Sequence, residues 1–146
     1  MIDFFTGWKN VKVLNCVLEN HSSTVEGGGI GLRDIYKKGC YNAQIENNKI
    51  YSNCKDEVIA IFAGGDTSLY PNETGGGYIK DVVLKNNYII GGKPNEELGP
   101  RVVGLTVGYQ LSPVYNVSYI DNVIEMYSAN YLDIVTPNRY SLCLNA

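Results

Sequence analysis

One histidine and four scattered cysteines are all that the 146 residues offer a soft metal ion. Cys16, Cys40, Cys54 and Cys143 form no C-x-x-C pair. The sequence therefore predicts neither a metal site nor a bound cofactor. His21 stands in a polar stretch and reads as a solvated loop residue. Basic charge is also scarce, with 12 Lys and Arg against 15 Asp and Glu, a formal −3. That balance excludes a nucleic-acid partner held by overall charge. No apolar run approaches the roughly 18 residues of a membrane span, so no membrane insertion is expected. Met1-Ile2-Asp3-Phe4-Phe5 lacks the basic and long apolar regions of a secretory signal. The sequons at Asn20, Asn72 and Asn116 then read as chance matches. The glycine-rich stretch 27–31 leads into no helical pattern and no Lys-Ser/Thr, which excludes a phosphate loop. Disulfides are not demanded at this size. The thiols are expected to be reduced and packed, as in a cytoplasm.

What remains is a single globular domain over 1–146, 45% apolar and rich in Tyr (12) and Gly (16). That composition leans toward β-structure and tight turns. Four stretches, 10–18, 42–50, 81–89 and 116–124, share one pattern, with starts 32, 39 and 35 residues apart. Each reads Asn or Asp, apolar, any, apolar, any, Asn or Asp, Asn (once Cys), any, Leu or Ile. A second element follows each, over 29–34, 58–63, 102–107 and 131–136. The opening 1–6 fits this second element as well. Apolar residues fall two apart in every copy, which is strand period.

An antiparallel sandwich would place hairpin turns every eight to twelve residues or so and share no register between distant segments. The recurring order predicts instead an all-β fold, a parallel β-solenoid of about four to five coils whose strands stack about 4.8 Å apart. Side chains at equivalent positions then form columns. Val13, Ile45, Leu84 and Tyr119 are expected in one interior column. Ile30, Ile59, Val103 and Leu132 form a second, with Leu32, Ile61, Leu105 and Ile134 beside it. Asn15, Asn47, Asn86 and Asp121 should mark a bend, since Asn tolerates left-handed backbone. The stretches 64–77 and 91–100 read as coil loops that can wall a groove. Because 1–6 enters on a second element and 140–145 ends on another period-two run without a cap, the chain reads as a piece of a longer protein, truncated at both ends.

The N-V-x-I-x-N-N-x-I phrase resembles the right-handed parallel β-helix of pectate-lyase-like proteins. Lys55-Asp56-Glu57-Val58-Ile59-Ala60-Ile61-Phe62, a charged turn running into an apolar strand, resembles the β-helix of phage tail spikes and neck appendages. The resemblance covers roughly residues 2–136. It implies host-surface carbohydrate recognition on a virion appendage, assembled in the bacterial cytoplasm, with surface polysaccharide as partner. It also implies a homotrimer or contacts with other appendage segments. The alternatives are a polysaccharide-degrading hydrolase or lyase, a purely structural or trimerisation segment, and, for location, secretion.

The outward positions of the second element supply the candidate site. One column runs Asp3, Gly31, Ala60, Gly104, Asp133, and the other runs Phe5, Arg33, Phe62, Thr106, Val135. Phe62 offers a plane on which a sugar ring can stack, and Arg33 a bidentate partner for a carboxylate or sulfate, with Asp133 on the same face. The same face is equally suited to cover by another subunit. A hydrolase needs two carboxyl groups about 5–9 Å apart. Among Asp34, Glu57, Asp66 and Asp133, the pair Asp34 and Asp66 follows one strand in successive coils and is the catalytic candidate. A lyase would need a base such as Arg33 and a cluster of outward carboxylates on adjacent coils, and no such cluster is evident. Trp8 reads as corner packing.

Overall fold

The computed structural model describes residues 2–20, 29–34, 36, 38–52, 57–63, 77–91, 103–107, 114–126, 132–134 and 142–145. Every regular element among them is a β-strand, and the strands form three parallel sheets. The first sheet stacks β1 (Ile2–Phe4), β4 (Ile30–Asp34), β7 (Glu57–Ala63), β10 (Val103–Val107) and β13 (Leu132–Ile134). The second stacks β2 (Lys9–Leu14), β5 (Cys40–Glu46), β8 (Ile79–Lys85), β11 (Val114–Ile120) and β14 (Leu142–Asn145). The third stacks β3 (Val17–Asn20), β6 (Lys49–Ser52), β9 (Tyr88–Gly91) and β12 (Val123–Met126). Each strand thus pairs with the strand three places further along the chain. The chain visits the three sheets in rotation, and one visit to each is called a circuit below.

The sequence pattern treats 10–18 and its three equivalents as one element with a bend. The structure divides each into two strands at that bend, which creates the third sheet. The bend residues Asn15, Asn47, Asn86 and Asp121 all have left-handed backbone, with φ between 50 and 56°. A second left-handed column, Asn10, Asn42, Asp81 and Asn116, kinks the second-sheet strands near their starts. Asn and Asp tolerate this region where other residues are strained. Each second-sheet run from Val11, Ala43, Val82 or Val117 to the bend is therefore bracketed by two left-handed residues five apart.

The interior is aliphatic. Val13, Ile45, Leu84 and Tyr119 stand in one register, as the repeat predicts. The first three are buried and Tyr119 is half-buried. Ile50 and Ile89 line the third sheet, and Ile30, Leu32, Ile59 and Ile61 the first, all buried. Trp8 closes a corner, its indole N–H donating to the Arg33 carbonyl at 3.0 Å.

The first sheet corrects the expected columns. Ile59 pairs with Leu105 and not Val103, and Ile61 pairs with Val107 and not Leu105. Thr106 pairs with Ala60 and Asp133 rather than with Phe62. The observed registers run Ile30–Ile59–Leu105–Leu132 and Leu32–Ile61–Val107–Ile134, and of these Ile30, Leu32, Ile59 and Ile61 are buried. The displacement is two residues, which keeps the period-two alternation of the strand.

Just after the bend lies an asparagine ladder, Asn48–Asn87–Asn122, with the first two buried and the third half-buried. Asn87 Nδ2 donates to the Ile45 carbonyl at 2.8 Å and to Asn122 Oδ1 at 2.8 Å. Asn87 Oδ1 accepts from the backbone N–H of Asn48 at 3.1 Å and from Asn48 Nδ2 at 2.9 Å. Asn48 repeats the geometry one circuit earlier, donating to the Val13 carbonyl and accepting from the Cys16 N–H. The ladder ties backbone and side chains of successive circuits where the corner interrupts the sheets.

Asn87→Ala should therefore leave the Asn48 N–H without its partner in the interior and remove the amide's bond to the Ile45 carbonyl, the first worth about 1–3 kcal/mol. The expected loss is roughly 2–3 kcal/mol in a denaturant titration. The neighbouring Asn86, exposed and with φ 52°, should accept Gly at a cost of a few tenths of a kcal/mol. Equal losses at the two positions would contradict this division of labour.

Candidate functional site

The outer face of the first sheet carries Asp3, Gly31 and Arg33, and the structure brings these together. Asp3 pairs with Gly31 in register, and the Arg33 Nε lies 3.4 Å from Asp3 Oδ1. The pair is an ion contact at that distance and not an aligned hydrogen bond. Gly31 permits it, because a Cβ there would stand 2.5 Å from Asp3 Oδ1. Burial pushes the Asp3 carboxyl above its ordinary range, and the Arg33 charge pulls it partly back.

Arg33 pairs in register with Phe62, as expected for equivalent positions in neighbouring strands. Asp133 pairs with Thr106 at the far end of the same sheet, three strands from Arg33. The side chains of Phe62 and Asp133 lie outside the described residues, as does Asp66 altogether. Phe5 follows β1, whose last pair is Phe4 with Leu32, and so continues toward the level of Arg33. Its ring meets that of Tyr36 at 6.1 Å with a 56° tilt. Both are exposed, at 40% and 43%. Tyr36 was not legible as a site residue, because it follows the strand in a turn outside the repeat.

Asp34 has a different environment from a catalytic acid. It is fully buried, on the same side of β4 as Ile30 and Leu32. Its Oδ1 accepts from the Thr6 hydroxyl at 2.8 Å and the Lys38 N–H at 3.1 Å. Its Oδ2 accepts from the backbone N–H groups of Gly39 at 2.9 Å and Tyr78 at 3.1 Å. Both oxygens are committed, to donors from three successive circuits. The carboxylate holds the corner between the first and second sheets. Gly39 completes that corner with φ 72°, and a Cβ there would lie 2.6 Å from the Tyr78 ring. Among the described residues no group of three or more His, Cys, Asp or Glu gathers in metal-binding geometry.

Cys40 packs at the same corner, fully buried and near the Arg33 carbonyl. Burial, and then the charge of Asp34, push its thiol up to about 12. Cys16 and Cys40 are both free thiols.

Comparison of the chain with family models, with curated proteins and with solved structures gave no match.

Two outcomes follow from the corner. Asp34→Asn places an NH2 group against backbone donors and should cost about 1–3 kcal/mol, read by thermal or denaturant unfolding. A stability unchanged by this substitution would leave the four contacts without energetic weight. The raised thiol gives a pH dependence. The folded state holds the Cys40 proton more tightly than the unfolded chain, so stability should fall as pH rises from about 9 toward about 12. Cys40→Ala should flatten that part of the alkaline limb, and an identical limb in both proteins would rule the linkage out.

Proposed function

We propose that the chain is a right-handed parallel β-helix of the pectate-lyase-like type, a segment of a phage tail spike or neck appendage that recognises host-surface carbohydrate. The three parallel sheets visited in rotation support the fold reading. The functional reading rests on one observation, the exposed Phe5–Tyr36 ring pair, with Phe5 following the edge strand β1 and Tyr36 following β4, the strand that carries Arg33. Aromatic rings supply apolar planes with a polarised face. Arginine supplies paired donors for a carboxylate or sulfate. Arg33 stands in strand β4, and the two rings follow β1 and β4 directly. Phe62 holds the register position next to Arg33 in the neighbouring strand. In this reading the protein is assembled in the bacterial cytoplasm and works on the virion.

A second reading, a structural segment that trimerises, draws on the third sheet. Val17 is 67% exposed and Val123 51%, in the outward column that also holds Lys49 and Tyr88. Exposed aliphatic side chains on a sheet face suit a contact between protomers. The hydrolase reading is weaker, because it needs Asp34 at a substrate and that carboxylate is consumed by the corner.

The test is a screen of the chain against bacterial surface polysaccharides, followed by titration of a hit. Phe5→Ala, Tyr36→Ala and Phe62→Ala should each weaken binding by about tenfold while the melting temperature holds. Binding retained in all three, with trimer assembly lost on Val17→Asp, would replace carbohydrate recognition by the structural reading. Depolymerisation of the hit, lost in Asp66→Asn, would replace it by the enzymatic one.

A further inference from the structure

The outer face of the second sheet carries a column that the repeat pattern conceals. Lys9, Tyr41, Lys80 and Tyr115 occupy one register position in four successive strands. The ammonium of Lys9 lies 5.4 Å from the centre of the Tyr41 ring, and that of Lys80 lies 5.7 Å from the same ring. Both distances are within cation–π reach. Lys9, Lys80 and Tyr115 are exposed and Tyr41 is half-buried. Beside the column run the left-handed residues of the kink, with Asn42 donating to Asn10 and Asn116 donating to Asp81. Asp81 also lies 3.9 Å from Lys80.

The charge on this face runs against that of the chain. Away from the kink, the outward positions of β2, β5, β8 and β11 hold Lys9, Lys12, Lys80 and Lys85 against Glu46 alone. The whole chain is −3.

We propose that this column is a binding strip for an extended acidic polysaccharide. The strip goes beyond the first-sheet site and does not rest on it. Tyrosine rings and lysine ammoniums alternate along the stacking direction, with the Tyr41 ring engaged by the ammoniums on either side, so a linear polymer lying along it meets the cations of Lys9 and Lys80 and then the exposed ring of Tyr115. Lysines recur at every second strand, roughly 10 Å apart. That spacing suits a glycan whose disaccharide repeat carries one carboxylate. It is too sparse for a nucleic acid, whose phosphates follow one another at roughly 3.4 Å along a strand. A ring contact uses no conventional hydrogen bond of the ammonium, so Lys9 keeps its donors for a carboxylate, while Lys80 shares its charge with Asp81 at 3.9 Å. The kink amides add hydrogen-bonding groups at the rim.

The probes are oligomers of hyaluronate and of unsulfated chondroitin, each with one carboxylate per disaccharide, neutral dextran, and oligo(dT), each titrated calorimetrically into the full chain at low and high salt. A uronate oligomer should bind, dextran should not, and added salt should weaken the binding. Lys80→Gln, Tyr41→Ala and Tyr115→Ala should each reduce the affinity by about tenfold. Lys80→Arg should retain it, and Phe5→Ala on the first sheet should leave it unchanged. Exposed Tyr115 serves as the check should Tyr41→Ala lower the melting temperature. Failure of both uronate oligomers to bind overturns the proposal. So does tighter binding of oligo(dT), which would make the strip a general polyanion surface. Loss of uronate binding in Phe5→Ala, with strip variants unaffected, would transfer acidic-glycan binding to the first sheet and overturn the strip alone.

Discussion

Everything in this structure depends on keeping successive circuits in register through a corner where the sheets break. The asparagine ladder performs that task. Within a sheet, backbone N–H and C=O groups pair strand to strand and need no help. At the bend after Leu14, Glu46, Lys85 and Ile120 the backbone turns out of one sheet before it enters the next. Asn15, Asn47 and Asn86 still donate to the next circuit, and the carbonyls of Cys16, Asn48 and Asn87 still accept from it. The N–H groups of Cys16, Asn48 and Asn87 turn instead to the side-chain amides, without which they would lack partners. Asn48, Asn87 and Asn122 substitute side-chain amides for the missing ladder. Each donates to a carbonyl one circuit back and accepts a backbone N–H from that circuit. Because an amide has both a donor and an acceptor end, the same residue type satisfies both requirements and can recur indefinitely. Asp34 does comparable work at the other corner, with a carboxylate where only acceptors are needed.

This division explains which part of the fold was legible in the sequence. The second sheet was read in correct register from residue identities alone. Its strands are punctuated by left-handed Asn or Asp five residues apart, and a slip of even one residue would put Val, Ala, Lys or Tyr at the first of these positions. The first sheet has no such punctuation. Its apolar residues fall two apart, and a slip by two leaves every one of them still inside. The sequence Val103-Gly104-Leu105-Thr106-Val107 fits β7 equally well in either register by pattern, and the observed one pairs Leu105 with Ile59. The chain between Ile61 and Val103 is long, and two residues more or less in such a connection cost little, so chain length does not arbitrate.

The site was legible only in part, for related reasons. Arg33 lies outward where the period places it, and its register with Phe62 is as expected. Asp34 was chosen for its chemistry, as an acid at the end of a strand. The same period that puts Leu32 inside also puts Asp34 inside, and a carboxylate at an interior position needs partners more than it offers reactivity. Thr6, Gly39 and Tyr78, which supply them with Lys38, come from other strands and turns, beyond the reach of any local pattern. The Lys–Tyr column stayed hidden because comparison of repeats looks for like residues at like positions, and this column alternates.

Alternation itself has a physical basis in a stack of parallel strands. Any side chain repeated at one position in every strand meets its own copy about 4.8 Å away. For valine or isoleucine that is favourable packing, and for asparagine it is a hydrogen bond. For lysine it is a like-charge contact directly across neighbouring strands, which destabilises the pairing. Placing Tyr41 and Tyr115 between and beyond the lysines moves the charges roughly 10 Å apart, close to the screening length at physiological salt. Each lysine then gains an aromatic face in place of a repelling neighbour. The third sheet shows the same arrangement once, with the Lys49 ammonium 5.9 Å from the Tyr88 ring in the adjacent strand. The stacking that forbids a pure lysine column thus yields, as its solution, a surface on which cations and aromatic planes recur with the period of the strands.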